Sequence, residues 1–307
     1  MTDMTFRQLG DSGLTVSAVG LGCNAFGRRI DSEQSASVVH AALDAGITLF
    51  DTADSYSLGE SERILGAALA SRRDDVIIAT KFGSDMHGAN GPDWGVRGSR
   101  RYIRKAVEAS LRRLGTDWID LYQLHFPDFV TPITETLAAL SELVAEGKVR
   151  YIGSSNFAAW RVVDAEWVAR SSGHQRFISA QNKYSLYDRA AEVELVPACE
   201  SAGVGILPYF PLEHGLLTGK YRRNTPAPVG TRLADRTGTL DNADFDRIEA
   251  LERYATKRGV TVLDVAIGGL AARPAVGSVI AGATKPEQVV ANAAAGVWRP
   301  APGDELP

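Results

Sequence analysis

Short apolar runs alternate with longer amphipathic segments along almost the whole chain. The segments carry apolar residues at helical spacing, and several end in glycine, which favours helix termination. The runs have the length and residue types of β-strands. There are eight such runs, and they span residues 18–22, 48–53, 76–81, 119–125, 149–155, 177–182, 204–210 and 278–283.

This alternation predicts an α/β protein with parallel strands, because mostly apolar strands need helices on both faces. Eight such units in 307 residues favour a (β/α)8 TIM barrel formed by a single domain over residues 1–307. An open, doubly wound sheet is the structural alternative. The sequence disfavours it, because no G-x-G-x-x-G follows the first predicted strand to receive a dinucleotide.

Three segments lie outside the eightfold pattern. Residues 6–19 place a D-S-G turn between two short alternating runs, which predicts an N-terminal β-hairpin closing the barrel floor. Two long loops, 83–99 after the third predicted strand and 211–240 after the seventh, are too long and polar to be simple connectors. Loops of that length are commonly functional, so we expect both to contribute to a site.

Composition and charge narrow the partners. Hydrophobic residues make up 45% of the chain and charged residues 23%, as is typical of a globular protein with a large core. The net charge of −4 shows no basic surplus, so neither nucleic acid nor a membrane surface is an expected partner. No secretory signal or membrane span is recognisable in the sequence, and two cysteines fit free thiols, so we expect a cytoplasmic protein.

Four polar residues fall close together in the predicted topology. Asp51, Lys81 and His125 lie near the ends of the second, third and fourth predicted strands, and Tyr56 follows in the loop after the second. Each alone has a structural explanation, such as local hydrogen bonding or packing. Because active sites of (β/α)8 barrels lie at the carboxyl ends of the strands, we expect these four side chains to share one pocket.

Together the four groups suit proton delivery to an oxygen that gains negative charge. A lysine ammonium near Tyr56 is expected to lower the pKa of its phenol, and Asp51 is expected to supply the counter-charge that a buried lysine needs. A neutral imidazole at His125 is expected to hold a substrate oxygen against the tyrosine. A carbonyl oxygen receives such a proton when hydride reaches its carbon.

The motifs FDTADSY, IATK, LYQLH, GSSNF, QNKYS, PYFPLEHGLLTGKY and GATKPEQVVAN occur in this order. The set resembles the aldo-keto reductase superfamily over essentially the whole chain. The resemblance implies a (β/α)8 barrel that reduces aldehydes or ketones with a nicotinamide cofactor, with Tyr56 as general acid and Asp51, Lys81 and His125 completing the catalytic tetrad. It also implies a small-molecule carbonyl compound as substrate, and Lys285 and Thr284 favour NADPH/NADP⁺ as the cofactor.

The resemblance further implies a set of cofactor contacts. Ser155, Asn156 and Gln181 match positions that hold the nicotinamide carboxamide, and Tyr209 matches the aromatic residue that stacks on the ring. The pyrophosphate clamp corresponds to Pro211, Leu212, Gly215 and Leu217, with the role of Lys220 left open. The adenosine end corresponds to Gly282, Ala283, Thr284, Lys285, Gln288 and Asn292. Gly22 and Cys23 end the first predicted strand, where Cys23 is expected either to line the cofactor pocket or to be a small buried residue.

The choice of NADPH rests on Lys285 and Thr284 at the start of a predicted helix. A helix N-terminus and a cation both favour an anion such as a 2′-phosphate. The alternative is that Lys285 is an ordinary solvated lysine. Position 291 is alanine where many relatives have an acid that contacts adenine, so adenine binding is expected to be looser.

The substrate wall is predicted from aromatic residues in the variable loops. Phe26, Trp94 and Phe126 are the candidate contacts, together with Phe210, although each also suits ordinary packing. The remaining histidines and the two cysteines have no metal-ligand spacing, so no metal is expected. The natural substrate is not readable from these residues, and a monomer is expected with oligomers left open.

Two other functions remain open at this point. One is a cofactor-binding redox sensor or accessory subunit with slow turnover on the same fold. The other is a barrel lyase or aldolase in which Lys81 forms a Schiff base. Oxidation of an alcohol, the reverse of the carbonyl reduction, is also compatible with the sequence.

Overall fold

Eight parallel strands form a closed barrel in the computed structural model, which describes residues 4–234 and 237–307. After two hairpin strands, the barrel strands are β3 (Val19–Gly22), β4 (Leu49–Asp51), β5 (Ile77–Phe82), β6 (Ile119–Leu124), β7 (Val149–Ser155), β8 (Phe177–Lys183), β9 (Gly205–Tyr209) and β10 (Val279–Gly282). They follow one another around the barrel in chain order, and β10 closes it by pairing with both β9 and β3. The predicted (β/α)8 barrel is therefore confirmed, and each strand end falls within two residues of its predicted position.

Helices surround the barrel and connect the strands. Among the described residues they are α1 (Ser32–Asp44), α2 (Glu60–Leu69), α3 (Arg100–Leu114), α4 (Ile133–Ala145), α5 (Ala159–Ser172), α6 (Leu195–Ala202), α7 (Thr237–Asp241), α8 (Phe245–Lys257), α9 (Val262–Ala271) and α10 (Pro286–Ala295). None of the helices in the described ranges is long and apolar enough to cross a bilayer.

The helix ends follow the capping residues in the sequence. The Asp31 side chain accepts from the Gln34 backbone N–H at the start of α1, and the Gln34 side chain closes a capping box. Gly115, Gly173 and Gly203 end α3, α5 and α6 with left-handed backbone angles that glycine adopts without strain. These glycines lie in the connections that lead from a helix into the next strand, whereas the candidate site residues follow the carboxyl ends of the strands.

An antiparallel hairpin, β1 (Phe6–Gln8) and β2 (Thr15–Ser17), precedes the barrel. Its Leu9, Leu14 and Val16 side chains are buried in one cluster with barrel residues, among them Leu49 and Leu121. Gly10, between the two strands, has a φ of 56°, and a Cβ atom there would lie 2.6 Å from the Ile178 carbonyl oxygen. The predicted hairpin is thus confirmed, and it packs against the apolar interior of the barrel.

The two predicted long loops lie outside the regular helices and strands for most of their length. The loop after β5, residues 83–99, contains turns but no helix or strand. The segment after β9 contains a 3-10 stretch at Glu213–Thr218 and α7, while residues 235–236 lie outside the described residues. Both segments leave the barrel from strand carboxyl ends, where the candidate site residues are found.

Candidate active site

Three neighbouring strands bring the four predicted catalytic residues together. Asp51 is the last residue of β4, Lys81 lies near the end of β5, and His125 directly follows β6. Tyr56 begins the short 3-10 turn Tyr56–Gly59 after β4. Because β4, β5 and β6 are adjacent in the barrel, their carboxyl ends place these groups on one side of the same opening.

Lys81 is the centre of this group. Its side chain is fully buried, and Nζ donates to Asp51 Oδ2 at 2.7 Å, to the Thr52 carbonyl oxygen at 2.9 Å and to the Tyr56 hydroxyl at 3.3 Å. All three ammonium hydrogens therefore have acceptors. Asp51 also accepts from the Gln181 side-chain amide at 2.7 Å, which fixes the carboxylate from a second strand.

The pKa shift of Lys81 agrees with its predicted ammonium form, whereas the pKa shift of Tyr56 differs from the sequence prediction. Burial lowers the pKa of Lys81, but the Asp51 carboxylate and the Tyr56 hydroxyl outweigh burial and raise it, so Lys81 is an ammonium. Burial raises the pKa of Tyr56 above its usual value, and Lys81 only partly opposes this effect. The predicted net lowering of the Tyr56 pKa is wrong for this structure, because burial and the Asp51 charge offset the lysine.

The 3-10 turn after β4 fixes the position of Tyr56. Ser57 and Leu58 have φ angles of 53° and 52°, and Gly59 has a φ of 91°. Non-glycine residues rarely adopt this left-handed region, so the surrounding contacts must hold the turn. The Ser57 hydroxyl supplies one of them by donating to the Phe26 carbonyl oxygen at 2.9 Å.

His125 is held as a neutral imidazole. Burial lowers its pKa from 6.5 to about 3, with Lys81 contributing further. Its Nδ1 lies 2.9 Å from the Ser84 hydroxyl oxygen, and its ring stacks on Phe126 with centroids 4.8 Å apart. The Tyr56 and His125 rings are in edge contact at 6.0 Å. The predicted neutral imidazole beside the tyrosine is thus present.

A cavity of about 800 Å³ opens at these strand ends. Asp51, Tyr56 and His125 line it, while Lys81 lies beneath them. Most of the predicted cofactor contacts also line it, namely Gly22, Ser155, Asn156, Gln181, Tyr209, Pro211, Leu212, Gly215, Gly282, Ala283, Thr284, Lys285, Gln288 and Asn292. Residues that are far apart in the sequence, from Gly22 to Asn292, therefore line one groove.

The residues predicted to hold the carboxamide form a connected group. Asn156 has a φ of 60°, and its side-chain amide donates to the His125 carbonyl oxygen at 3.0 Å. The Tyr209 hydroxyl donates to Asn156 Oδ1 at 2.8 Å, and the Ser155 hydroxyl donates to the Gln181 carbonyl oxygen at 2.9 Å. These bonds link the end of β7 to β8, to β9 and to His125.

Four predicted contacts do not line the cavity. Cys23 and Phe26 are fully buried, and Leu217 is also at 0% exposure, so all three pack in the core. Cys23 directly follows β3, and its side chain lies in the hydrophobic core rather than at the cavity wall. Trp94 is 69% exposed and stacks under the Arg101 guanidinium at 4.0 Å. Of the predicted substrate contacts, Phe126 and Phe210 line the cavity, whereas Phe26 and Trp94 do not.

The cavity also has lining residues that the sequence did not single out. They come mainly from the loop after β3 and from the segment after β9, namely Asn24, Ala25, Arg29, His214, Thr218, Val229, Gly230, Thr231 and Arg232. Lys220, for which the sequence predicts no specific role, lines it as well, and the Arg232 guanidinium lies 5.7 Å from the centroid of the Phe210 ring. Among the described residues, four cationic side chains therefore line the cavity, namely those of Arg29, Lys220, Arg232 and Lys285.

The far end of the groove is formed by the start of α10. The Thr284 backbone N–H donates to the Gln288 side-chain oxygen at 2.8 Å, and Lys285 precedes Pro286 at the helix N-terminus. Lys285 is 66% exposed, with Nζ 3.8 Å from Glu287. A solvated lysine beside a helix N-terminus is positioned to bind an anion. Its ion pair with Glu287 lies on the surface, and such pairs are weak.

The groove fits an extended dinucleotide. Its volume lies within the range of about 300–1,000 Å³ usual for ligand pockets. Glycine lets a ligand approach the backbone at Gly215, whose φ is 101°, where a Cβ atom would lie 3.2 Å from Lys220 Nζ. Tyr209 offers an aromatic ring near the tetrad, and cationic groups and the α10 N-terminus lie along the groove. These features suit a nicotinamide at one end and phosphates at the other.

Comparisons with known proteins agree with this geometry. The model of the Aldo/keto reductase family matches residues 18–302. Versiconal hemiacetal acetate reductase of Aspergillus parasiticus is 38% identical over 88% of this chain and 86% of its own length. The NADH-specific methylglyoxal reductase of Escherichia coli is 36% identical over 94% and 92%. A probable voltage-gated potassium channel subunit beta of rice (Oryza sativa subsp. japonica) is 34% identical over 94% and 90%.

Proposed function

The chain belongs to the aldo/keto reductase family of oxidoreductases, and we propose that it reduces an aldehyde or ketone to the alcohol with NADPH. The observation that carries this proposal is the contact of Lys81 Nζ with both Asp51 and the Tyr56 hydroxyl at the base of the cavity. This arrangement places a proton donor and a fixed positive charge where a carbonyl oxygen would gain negative charge.

Bound NADPH would supply the hydride to the carbonyl carbon. The chain supplies the proton: Tyr56 donates its hydroxyl hydrogen to the carbonyl oxygen, which completes the alcohol. The Lys81 ammonium stabilises the tyrosinate left behind, and Asp51 holds the ammonium in place. Neutral His125 orients the substrate oxygen through Nε2, because Nδ1 is engaged with the Ser84 hydroxyl.

The raised pKa of Tyr56 is compatible with this role. A phenol with a pKa above its usual value stays protonated near neutral pH and is available as an acid. When hydride transfer makes the carbonyl oxygen basic, the proton moves to it, and the phenolate forms beside the lysine. The lysine charge therefore acts mainly on the transition state, where it increases the rate.

We propose that the cofactor-binding site extends along the groove, with the nicotinamide near Tyr56 and the adenosine near α10. Ser155, Asn156 and Gln181 would hold the carboxamide, and Tyr209 would cover one face of the ring, which leaves the other face to the substrate. Lys220 and Arg232 border the groove where the phosphates would pass. Lys285 would meet the 2′-phosphate of NADPH at the α10 N-terminus. The NADH-specific relative makes this last preference a point to be tested.

An assay of the wild-type protein with both cofactors tests the proposal. NADPH and NADH oxidation would be measured across a panel of aldehydes, ketones and dicarbonyls, with cofactor binding followed separately by fluorescence. We expect carbonyl-dependent NADPH oxidation and weaker activity with NADH. Cofactor binding without any carbonyl-dependent oxidation would contradict the reductase proposal.

Schiff-base chemistry at Lys81 is disfavoured by the structure. A Schiff base needs a neutral amine that can reach the substrate, whereas the Lys81 ammonium is fully buried and its pKa is raised by Asp51 and Tyr56 against the effect of burial. Borohydride treatment in the presence of a carbonyl substrate is therefore expected to leave Lys81 unmodified.

The accessory-subunit alternative is favoured by one comparison, the potassium channel subunit beta of rice. On this alternative the protein would hold its cofactor tightly and turn over slowly while bound to a protein partner. Measuring the release rate of NADP⁺ against the rate of carbonyl reduction distinguishes the two functions. Release that is far slower than the chemical step, together with a stable partner, would favour the subunit role.

A further inference from the structure

A buried polar cluster adjoins the active site between β5, α2 and α3. Asp54 and Glu62 are both fully buried in it. Asp54 lies two residues before Tyr56, and its backbone N–H donates to the Lys81 carbonyl oxygen at 3.0 Å. The cluster therefore contacts the two chain segments that carry the proposed acid and its lysine.

The cluster contains one bonded cation for two carboxyl groups. Arg113 Nε donates to Glu62 Oε2 at 2.6 Å, and the Thr80 hydroxyl donates to the other Glu62 oxygen at 2.6 Å. Arg113 Nη1 also donates to Asn90 Oδ1 at 3.0 Å. Glu62 is thus paired with a charge, whereas the hydrogen-bond partner of the Asp54 carboxyl group is the amide of Asn90.

The Asp54 carboxyl group is only partly satisfied. Oδ2 accepts from Asn90 Nδ2 at 3.1 Å, and Oδ1 is buried without a hydrogen-bond partner among the described residues. A buried carboxylate in this state is costly, so the neutral acid is favoured. Burial raises the pKa of Asp54 to about 8, with Glu62 adding to the rise and with Arg113, the Ser55 backbone N–H and the Asn90 amide opposing it. The titratable groups that face Asp54 in the described chain are Glu62 of α2, Arg113 and Tyr102 of α3, and Tyr122 of β6.

Asn90 connects this carboxyl group to the loop after β5. Its side chain is 7% exposed and also lies 3.4 Å from the Tyr102 hydroxyl, so it is fixed on both sides. The same loop carries Ser84, whose hydroxyl oxygen is 2.9 Å from His125 Nδ1. The Asp54–Asn90 bond therefore joins the loop that contacts the histidine to the turn that carries Tyr56.

We propose that Asp54 is a positioning residue, which keeps the Tyr56 turn and the loop after β5 in the catalytic arrangement only while its carboxyl group is protonated. This inference rests on the proposed reductase function. Ionisation would place a second carboxylate beside Glu62 with only Arg113 to balance both. The resulting repulsion would move the Asp54 segment, and with it Tyr56, away from Lys81.

The pH dependence of turnover tests this role with Asp54→Asn, since asparagine resembles the protonated acid in shape and carries no charge. For wild type, kcat is expected to fall about tenfold between about pH 7 and pH 9. Asp54→Asn is expected to lack this fall, whatever its absolute rate. Asp44→Asn, the same change at an exposed residue at the end of α1, should keep the wild-type fall. An equal fall in wild type and Asp54→Asn would overturn the proposal.

A second readout does not depend on turnover. With tyrosine ring carbons labelled, the Tyr56 resonance can be assigned by its loss in Tyr56→Phe. It is expected to shift in wild type over the same pH range and to stay constant in Asp54→Asn. The positioning role would be overturned if the wild-type Tyr56 resonance stayed constant at every pH lower than the pH at which Tyr56 itself titrates. A shift without any carbonyl reduction would support the Asp54 role while contradicting the reductase function.

Discussion

Lys81 Nζ lies 2.7 Å from Asp51 Oδ2, and the two side chains are 0% and 3% exposed. Such a buried ion pair is held in place by partners on both sides, here the Tyr56 hydroxyl on the lysine and the Gln181 amide on the aspartate. The pair adds little net charge to the barrel, yet it presents one ammonium hydrogen to the phenol. The pair therefore orients the Lys81 ammonium towards Tyr56 as well as stabilising the fold.

Breaking this pair should cost both stability and activity. Lys81→Met leaves Asp51 buried without its cation, and such changes destabilise proteins by about 3–5 kcal/mol. Reduction should fall as well, because no charge remains to stabilise the tyrosinate. Denaturant unfolding and the steady-state rate measure the two effects.

The double variant Asp51→Asn with Lys81→Met separates the two roles. Since it removes both charges, most of the lost stability should return while the rate stays low. Recovery of the rate along with the stability would show that the lysine charge is not needed for chemistry.

The neutral state of His125 makes a pH prediction. Its pKa is lowered from 6.5 to about 3 by burial and by Lys81, so reduction should show no change in rate from this group between about pH 5 and pH 8. The unfolded chain takes up this proton below its ordinary pKa whereas the folded chain does not, so the group's contribution to stability is lost as the pH falls from 6.5 towards about 3. His125→Asn should flatten that part of the stability curve. If the rate of reduction by wild type fell below about pH 6.5 and the rate of His125→Asn did not, His125 would titrate in the folded enzyme, which would contradict the prediction.

Cofactor choice should depend on Lys285. Lys285→Ala is expected to weaken NADPH binding by roughly fivefold, as an exposed ion pair contributes about 1 kcal/mol at most, and to leave NADH binding nearly unchanged. Fluorescence titration with both cofactors measures this, with Lys257→Ala on α8 as the exposed-lysine control. Equal losses for the two cofactors would show that Lys285 does not contact the 2′-phosphate.

The barrel could be predicted because its signals are local and repeated. Each strand is a short apolar run between amphipathic segments, and the same pattern recurs eight times. The tetrad followed from that topology, since Asp51, Lys81 and His125 end adjacent strands. Burial of Lys81 against Asp51 could be expected on charge grounds alone.

The errors lie where orientation or burial decides the outcome. Cys23 and Leu217 lie within the correct segments, but their side chains pack into the core, and the sequence pattern does not specify a direction for a residue just after a strand or within an irregular 3-10 stretch. The sign of the Tyr56 pKa shift depends on how far the effect of burial outweighs that of Lys81, and the sequence does not specify how deeply the fold buries the phenol. Trp94 lies on an irregular loop, and such loops have no periodicity from which a direction can be predicted.

The residues that were missed belong to the same irregular segments. Asn24, Arg29 and Arg232 reach the cavity from loops after β3 and β9. The length of the segment after β9 was a usable signal for a functional loop, but it could not tell which side chains face inward. Asp54 belongs to the FDTADSY motif, but only the structure shows that it is buried near Glu62, whose carboxylate is the one bonded to Arg113.

The most direct test of the account compares wild type and Tyr56→Phe in a single turnover of the NADPH complex with an aldehyde substrate. The phenylalanine removes the proton donor and leaves the groove intact, so cofactor affinity should stay the same while the rate falls by about a hundredfold to ten-thousandfold. Tyr151→Phe, a tyrosine packed near the hairpin at the other end of the barrel, serves as the matched control and should keep the wild-type rate. Equal single-turnover rates for wild type and Tyr56→Phe would contradict the assignment of Tyr56 as the acid.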